Sequence, residues 1–533
     1  MTSQNVLRAL LLASFVAIVQ LDAASCESLL NTQLSATTIT AAAVVAAGAF
    51  TLPQTEPPGP GATAYKALPA FCRVTGVLKP SNDSDIRFEV WLPVSGWNGR
   101  FQGIGNGGFA GSINYTAGLA NAVANGYAAA STDTGHEAQD VRASWALGHP
   151  EKITDFGYRA IHLTAITGKA LTKFFYRQTP RHSYFSSCSN GGRQALMEAQ
   201  RFPEDYDGII AGAPANDWVN LFAGFIWNAQ ALSARDGFIP PVKFSAIEAA
   251  VLAACDAQDG VKDGVIDDPR KCHFDPQKLI CQGTETASCL MAAQAKTLAG
   301  IYSGPSDSKG TPLYPGFPPG GESGAAGWPG WIAGAAPGRS AQFAFGTQFF
   351  SNFVFNNAAW DFRSFNFDRD VKVANGTIGS VMNATDPNLQ AFQSRGGKLI
   401  LYHGWSDAAI PAPSSIAYYN RVVGTMGSRQ ADGFIRLFLA PGMQHCAGGP
   451  GPNEFGQIAG KAGDAQHDIN KAVERWVEQG EAPQKLIASK HKSDVNSASE
   501  VIRTRPLCAF PQVARYAGSG STDDAANFAC IRP

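Results

Sequence analysis

The chain has 533 residues, 16% of them charged, with 42 Lys and Arg against 43 Asp and Glu and a formal net charge of −1 at neutral pH. That balance, with no basic cluster, argues against a nucleic-acid partner, and the length exceeds what one simple layered core fills, so a main domain with a large insertion or a second domain is expected. The 56 Gly and 32 Pro residues suit long ordered loops, and an aromatic content of 10% is enough to line a pocket for a flat substrate.

The first residues read as an export signal spanning residues 1–24. Arg8 supplies a weak positive start, Ala9 to Val19 is an apolar run shorter than a membrane span, and Asp22-Ala23-Ala24-Ser25 offers small residues for cleavage. The mature chain is therefore expected to be secreted or periplasmic. A lipidated Cys26 is the alternative, although Ala23 stands where a lipid-attachment signal prefers a larger aliphatic residue. No later apolar stretch is long enough to span a bilayer.

Early strands are expected from about Val74 to Pro93 and from Arg100 to Gly105, followed by the glycine-rich turn Asn106-Gly107-Gly108-Phe109-Ala110-Gly111. That turn lacks the spacing of a dinucleotide loop. Leu163, Ile166, Ala170 and Phe174 recur at helical spacing. The β-prone Tyr184-Phe185-Ser186-Ser187-Cys188 then breaks at Ser189-Asn190-Gly191-Gly192 into the helix-prone Arg193 to Ala199. A strand turning sharply into a helix pushes one hydroxyl out at the end of a sheet, which makes Ser189 the candidate nucleophile of a serine elbow. Ser187 stands where the usual pattern has its first Gly.

After Ala211-Gly212-Ala213-Pro214 this pattern stops and resumes near Gly397, so residues 216–396 are expected to form a lid domain inserted between residues 25–215 and 397–533. Within the insertion lies Asp256-Ala257-Gln258-Asp259-Gly260-Val261-Lys262-Asp263-Gly264-Val265-Ile266-Asp267-Asp268. Its clustered carboxylates repel one another unless a hard cation collects them, and calcium favours such an all-oxygen environment. It is not an EF-hand, since the twelfth residue from Asp259 is Arg270, and a solvated acidic turn is the alternative. A Gly/Pro-rich stretch runs from about Gly304 to Gly338.

Two further strands each empty into a polar residue. Lys398 to Tyr402 leads into His403-Gly404-Trp405-Ser406-Asp407, and Arg436 to Leu439 leads into Ala440-Pro441-Gly442-Met443-Gln444-His445-Cys446. The order Ser189, Asp407, His445 is that of an α/β-hydrolase triad, with each member on a loop past a strand. Cys188 directly precedes the candidate nucleophile and Cys446 directly follows the candidate base, so proton transfer between Ser189 and His445 would bring the two cysteines near enough for a disulfide. An amphipathic helix marked by Ile469, Ala472, Val473 and Trp476 closes at Gly480. The ten cysteines form an even set, as expected of an exported chain, and none shows a paired Cys-x-x-Cys spacing that would suggest zinc.

These residues resemble the tannase and feruloyl esterase family of α/β-hydrolases, which also contains mono(hydroxyethyl) terephthalate hydrolase. The resemblance rests on Cys188-Ser189-x-Gly191-Gly192-Arg193, Gln200-Arg201-Phe202-Pro203-x-x-Tyr206-Asp207-Gly208-Ile209, Tyr402-His403-Gly404-x-x-Asp407 and Pro441-Gly442-Met443-x-His445-Cys446-x-Gly448-Gly449. It implies an α/β-hydrolase catalytic domain with a large lid, Ser189 as nucleophile, Asp407 as acid, His445 as base and a Cys188–Cys446 disulfide. With local spacing it suggests pairing Cys26 to Cys72, Cys255 to Cys272, Cys281 to Cys289 and Cys508 to Cys530. It also implies a structural Ca²⁺ in the lid held by the side chains of Asp256, Asp259 and Asp263 and the carbonyls of Val261 and Val265.

The elbow makes the backbone N–H of Asn190 one oxyanion donor, and a loose alignment adds Gly108 as the other. Trp405 is expected to border the acyl pocket, with a place in the core as the equal alternative. His136, His149, His403 and His467 carry no paired signal and are read as core or surface residues. The expected activity is hydrolysis of esters of aromatic acids, feruloyl first, with tannase or terephthalate half-ester hydrolase activity as alternatives. Two rivals are a calcium-stabilised binding module without activity and a cysteine hydrolase using Cys188. The oligomeric state is not encoded in any motif.

Overall fold

The computed structural model describes residues 24–53, 64–138, 141–324, 326–458, 463–495 and 498–532. The expected export signal lies outside these residues except for Ala24. Strands β1 (Thr37–Val45), β2 (Phe71–Leu78), β3 (Ile86–Pro93), β4 (Arg100–Ile104), β5 (Ala128–Thr132), β6 (His182–Cys188), β7 (Gly208–Gly212), β8 (Lys398–Gly404) and β9 (Ile435–Ala440) build one sheet in the spatial order β1-β2-β3-β5-β4-β6-β7-β8-β9. β1 to β3 and the β3/β5 pair run antiparallel; from β5 onward every pairing is parallel. A parallel sheet is covered on both faces and its strands read as continuous apolar runs, as β7 and β8 do, buried at every position but Lys398.

Helices α1 (Ala160–Tyr176), α2 (Asn190–Arg201), α3 (Trp218–Ser233), α4 (Phe244–Cys255), α5 (Ala341–Phe349), α6 (Pro413–Met426) and α7 (Ile469–Gln479) account for most of the longer helical elements. The strands expected from about Val74 to Pro93 are β2 and β3, an antiparallel pair joined where Lys79 to Asp85 turns the chain back. β1 has no counterpart among the sequence expectations. In α1 the recurring Ile166 and Phe174 face solvent, while Ile161, Ala165, Gly168, Leu171 and Phe175 form the buried side. The apolar spacing identified the helix but not its inner face.

Residues 213–397, between β7 and β8, add no strand to this sheet. Their aromatic side chains, among them Trp218, Phe222 and Phe349, pack with Phe109 and Phe156 from the first half of the chain into one core. A second core holds Ile247, Val251, Leu298 and Trp328. All ten cysteines are paired: Cys26–Cys72, Cys188–Cys446, Cys255–Cys272, Cys281–Cys289 and Cys508–Cys530. Cys188 is thus no free nucleophile, which removes the cysteine-hydrolase alternative. Among the described residues no helix is long and apolar enough to cross a membrane.

Candidate active site

The four strands β6, β7, β8 and β9 are neighbours with a common direction, so the loops that follow them share one edge of the sheet. Ser189 is the single residue between β6 and α2 and adopts φ +68° and ψ −125°. A non-glycine residue in such a region costs about 1–3 kcal/mol and persists only where its surroundings hold it. Here the Ser189 N–H donates to Gly212 O at 2.9 Å, and its carbonyl accepts from the N–H groups of Arg193 at 3.1 Å and Ala215 at 3.2 Å. Gly192 is required at this turn, since a Cβ there would lie 2.3 Å from Gly212 O.

His445 follows β9 and Asp407 follows β8. His445 Nε2 lies 2.9 Å from Ser189 Oγ and its Nδ1 lies 2.8 Å from Asp407 Oδ2. The other carboxylate oxygen accepts from the N–H groups of Ala409 at 2.8 Å and Ile410 at 2.9 Å. Burial alone would raise the Asp407 carboxyl, but the adjoining His445 and His403 outweigh it and hold it well below the ordinary carboxylate range. His403, read from sequence as an ordinary histidine, is fully buried, with Nε2 3.3 Å from Asp407 Oδ2 and 2.9 Å from Ile410 O, and Nδ1 2.8 Å from Ser415 Oγ. The Cys188–Cys446 bond joins the residues flanking Ser189 and His445.

Ser189 and His445 open into a cavity of about 400 Å³, which Gly108 and Asn190 also line. Its walls are largely aromatic, with Trp218, Phe222 and Phe225 from α3, Phe345 from α5 and Trp331. Trp331 meets His445 edge-on with ring centroids 5.2 Å apart. Among the described lining residues none carries a carboxylate, ammonium or guanidinium group. Trp405 does not line this cavity. Its backbone N–H donates to Ala440 O, and its buried side chain lies under the guanidinium of Arg270, 5.5 Å from the ring. The aromatic walls come instead from residues whose helical spacing in the sequence resembles ordinary core.

In the acidic loop, Asp256 accepts from the N–H groups of Asp263 and Gly264, and Asp259 from those of Val261 and Asp267. Asp263 pairs with Arg505 and Arg503 of a hairpin formed by Lys485–His491 and Val501–Cys508. Among the described residues, the side chains of His162, Glu198 and Asp205 form a separate cluster with ligand atoms within 4.8 Å of one another. There Lys169 Nζ already lies 3.1 Å from Asp205 Oδ1 and His162 Nδ1 2.6 Å from Oδ2, so an ammonium group offsets that cluster.

A mixed sheet with a serine elbow after β6, an acid after β8 and a histidine after β9 defines an α/β-hydrolase arrangement. A family model described as tannase and feruloyl esterase matches residues 72–531, and the chain belongs to that family and is a carboxylic ester hydrolase. It is 44% identical to an uncharacterized esterase of Xanthomonas campestris pv. campestris, over 95% of this chain and 91% of the relative. It is 35% identical to a probable feruloyl esterase B-1 of Aspergillus oryzae, over 87% of this chain and 84% of the relative. The crystal structure of feruloyl esterase B from Aspergillus oryzae superposes with a TM-score of 0.87 at 34% identity, covering 95% of this chain and 99% of that one. A tannin acyl hydrolase from Aspergillus niger shares the fold, with a TM-score of 0.75 at 23% identity.

Proposed function

We propose that this esterase is secreted and cleaves esters of aromatic acids through an acyl-enzyme formed on Ser189. The observation that carries this reading is the unbroken Ser189–His445–Asp407 hydrogen-bond chain at the mouth of an apolar, aromatic-walled cavity. Ser189 Oγ attacks the ester carbonyl carbon while its proton passes to His445 Nε2, and the carbonyl electron pair moves onto the oxygen, which the N–H groups of Asn190 and Gly108 receive. Collapse breaks the bond to the alkoxy oxygen, which takes the proton from His445 and leaves as the alcohol. Water then repeats the sequence and releases the acid. Asp407 keeps His445 in the tautomer that accepts at Nε2 and supports the imidazolium.

The wall chemistry ranks the acyl groups. A galloyl ring would bury three hydroxyls with few partners, and a terephthaloyl half-ester would bury a carboxylate with no cation among the described lining residues; both are costly. A feruloyl ring suits the aromatic wall best. Residues 216–396 are the lid, since they supply most of that wall above the sheet edge.

The acidic loop fits a calcium ion in its donor chemistry. Burial raises the Asp259 carboxyl, with the neighbouring Asp263 and Asp256 adding to the effect, and a hard cation would relieve that cost. Asp256, Asp259 and Asp263 with the carbonyls of Val261 and Val265 would hold the ion, whose role is to brace the lid. The Asp263–Arg505 pair would then link that brace to the C-terminal hairpin.

Ser189→Ala, compared with the native enzyme on methyl ferulate, methyl gallate and mono(hydroxyethyl) terephthalate, tests the reading. Native kcat/KM is expected to be highest on methyl ferulate, with turnover abolished in the variant. Residual turnover above a few per cent in folded Ser189→Ala removes Ser189 as nucleophile, and a preference for the gallate or terephthalate ester overturns the ranking.

A further inference from the structure

Two adjacent side chains on α2 are buried in ways that packing alone does not require. Arg193 has no exposure, yet no carboxylate meets it among the described residues. Its Nε–H donates to Asn190 Oδ1 at 2.9 Å, and its terminal nitrogens donate to Gly157 O at 2.6 Å and Phe156 O at 3.2 Å. The guanidinium also lies 5.1 Å from the Phe156 ring and 4.9 Å from that of Trp218, a wall of the cavity. Burial lowers its pKa only to about 9, so it stays charged at neutral pH. An unpaired buried cation is expensive, and a fixed one beside a site where negative charge develops is a recognised reason to retain it.

Gln194 is equally buried and reaches the other way. Its Oε1 accepts from Asn106 N–H at 2.9 Å, while Asn106 Nδ2 donates to Thr132 O at 2.8 Å and Ser112 O at 2.9 Å. The loop that continues from Asn106 into Gly107 and Gly108 is thereby fixed to the helix that begins at Asn190. His136 secures its far end through a 2.7 Å hydrogen bond from Nε2 to Phe109 O.

We propose that Arg193 and Gln194 are the positioning residues of the oxyanion hole. Arg193 fixes Asn190 and leaves its positive charge uncompensated beside the Ser189 turn, and Gln194 holds the Asn106–Gly108 loop so that both N–H donors point at one oxygen. This rests on the acyl-enzyme reading of the site. The two residues touch no substrate atom in that scheme, so their effect belongs to the transition state and not to ground-state binding.

The test compares R193M, R193K and Q194L with the native enzyme on methyl ferulate. It also compares their affinity for a feruloyl-type trifluoromethyl ketone, which forms an oxyanion on Ser189, with that for ferulate itself. Loss of one oxyanion donor costs roughly 10²–10³ in kcat, so R193M is expected to lose about 100-fold, R193K less because it keeps the charge, and Q194L about tenfold. KM and ferulate affinity should stay within about threefold of native, and ketone affinity should fall in parallel with kcat. Folded R193M and Q194L with near-native kcat, a loss carried by KM, or unchanged ketone affinity each overturn the proposal. If R193M does not fold, R193K and Q194L decide on the same readouts. Ser189→Ala separates the layers: if it stays active, the reading of the site fails, whereas inactive Ser189→Ala beside fully active R193M and Q194L ends this inference alone.

Discussion

The sheet edge that carries Ser189, Asp407 and His445 and the inserted segment that covers it are built on different terms. At the edge, each polar residue follows a parallel strand, and the positions are set by backbone hydrogen bonds, a strained turn and a disulfide. In the insertion, the cavity wall is assembled from α3, α5 and the short helical turn Pro329–Ala333 that carries Trp331, and its acidic loop is held by side-chain pairs to a distant hairpin. On the proposed reading, chemistry sits on the sheet edge and selectivity on the inserted wall, the division expected when a scaffold positions segments that recognise.

That contrast predicts a graded series of effects. The largest belongs to the edge: Asp407→Asn should lower kcat by about 10³–10⁴-fold by imposing the wrong histidine tautomer. Its carboxyl is held low in the folded state, so the stability it contributes is fully present above the unfolded value of roughly 3.9 and disappears as pH falls through the depressed native value. The Tm difference between native and Asp407→Asn protein should therefore be constant above about pH 5 and close in stronger acid. Because Asp407 is held low, the acid limb of kcat/KM in the native enzyme should follow one proton; a two-proton limb would show Asp407 titrating as well.

Next comes the covalent tie across the edge. Replacing Cys188 and Cys446 together by Ala should cost about 2–5 kcal/mol of stability and reduce kcat, read by denaturant melts and steady-state rates. Unchanged values for both would show that backbone packing alone holds the two loops. A smaller, different effect is expected from the wall: Trp331→Ala should raise KM for methyl ferulate about tenfold while changing kcat less, because it removes contact with the ring. A loss confined to kcat would place Trp331 with His445 and not with the substrate. The mildest is calcium removal, which should lower Tm and weaken ester binding before it alters the rate at which a small organophosphate modifies Ser189. Tm should climb again with added calcium by mass action, and a melt indifferent to chelator would leave the acidic loop without an ion.

The edge was also the part that could be read in the sequence. β8 and most of β9 are apolar runs that end in polar turns, and β6 breaks abruptly into a small-residue turn ahead of a helix, which is why Asp407, His445 and Ser189 stood out. Side-chain direction did not follow so easily. Trp405 is two residues from Asp407, but the turn between them sends it under Arg270 while Asp407 points inward. His403 carried no signal because its meaning lies in contacts with Asp407 and Ser415 that only the folded turn creates. The wall aromatics of α3 and α5 were hidden for the opposite reason: their spacing is that of any buried helix, and nothing local separates a ring facing a core from one facing a cavity. Arg193 was visible only as part of a motif, and its burial without an acidic partner is a property of three segments meeting.

The Cys188–Cys446 bond spans 258 positions and so encloses the whole insertion in one covalent ring. A protease that cuts the exposed surface of residues 216–396 once would open that ring without releasing either piece. The nicked enzyme would remain one molecule, with Ser189 and His445 still stapled together across the break. Damage to the inserted segment is thereby uncoupled from the geometry that joins Ser189 to His445.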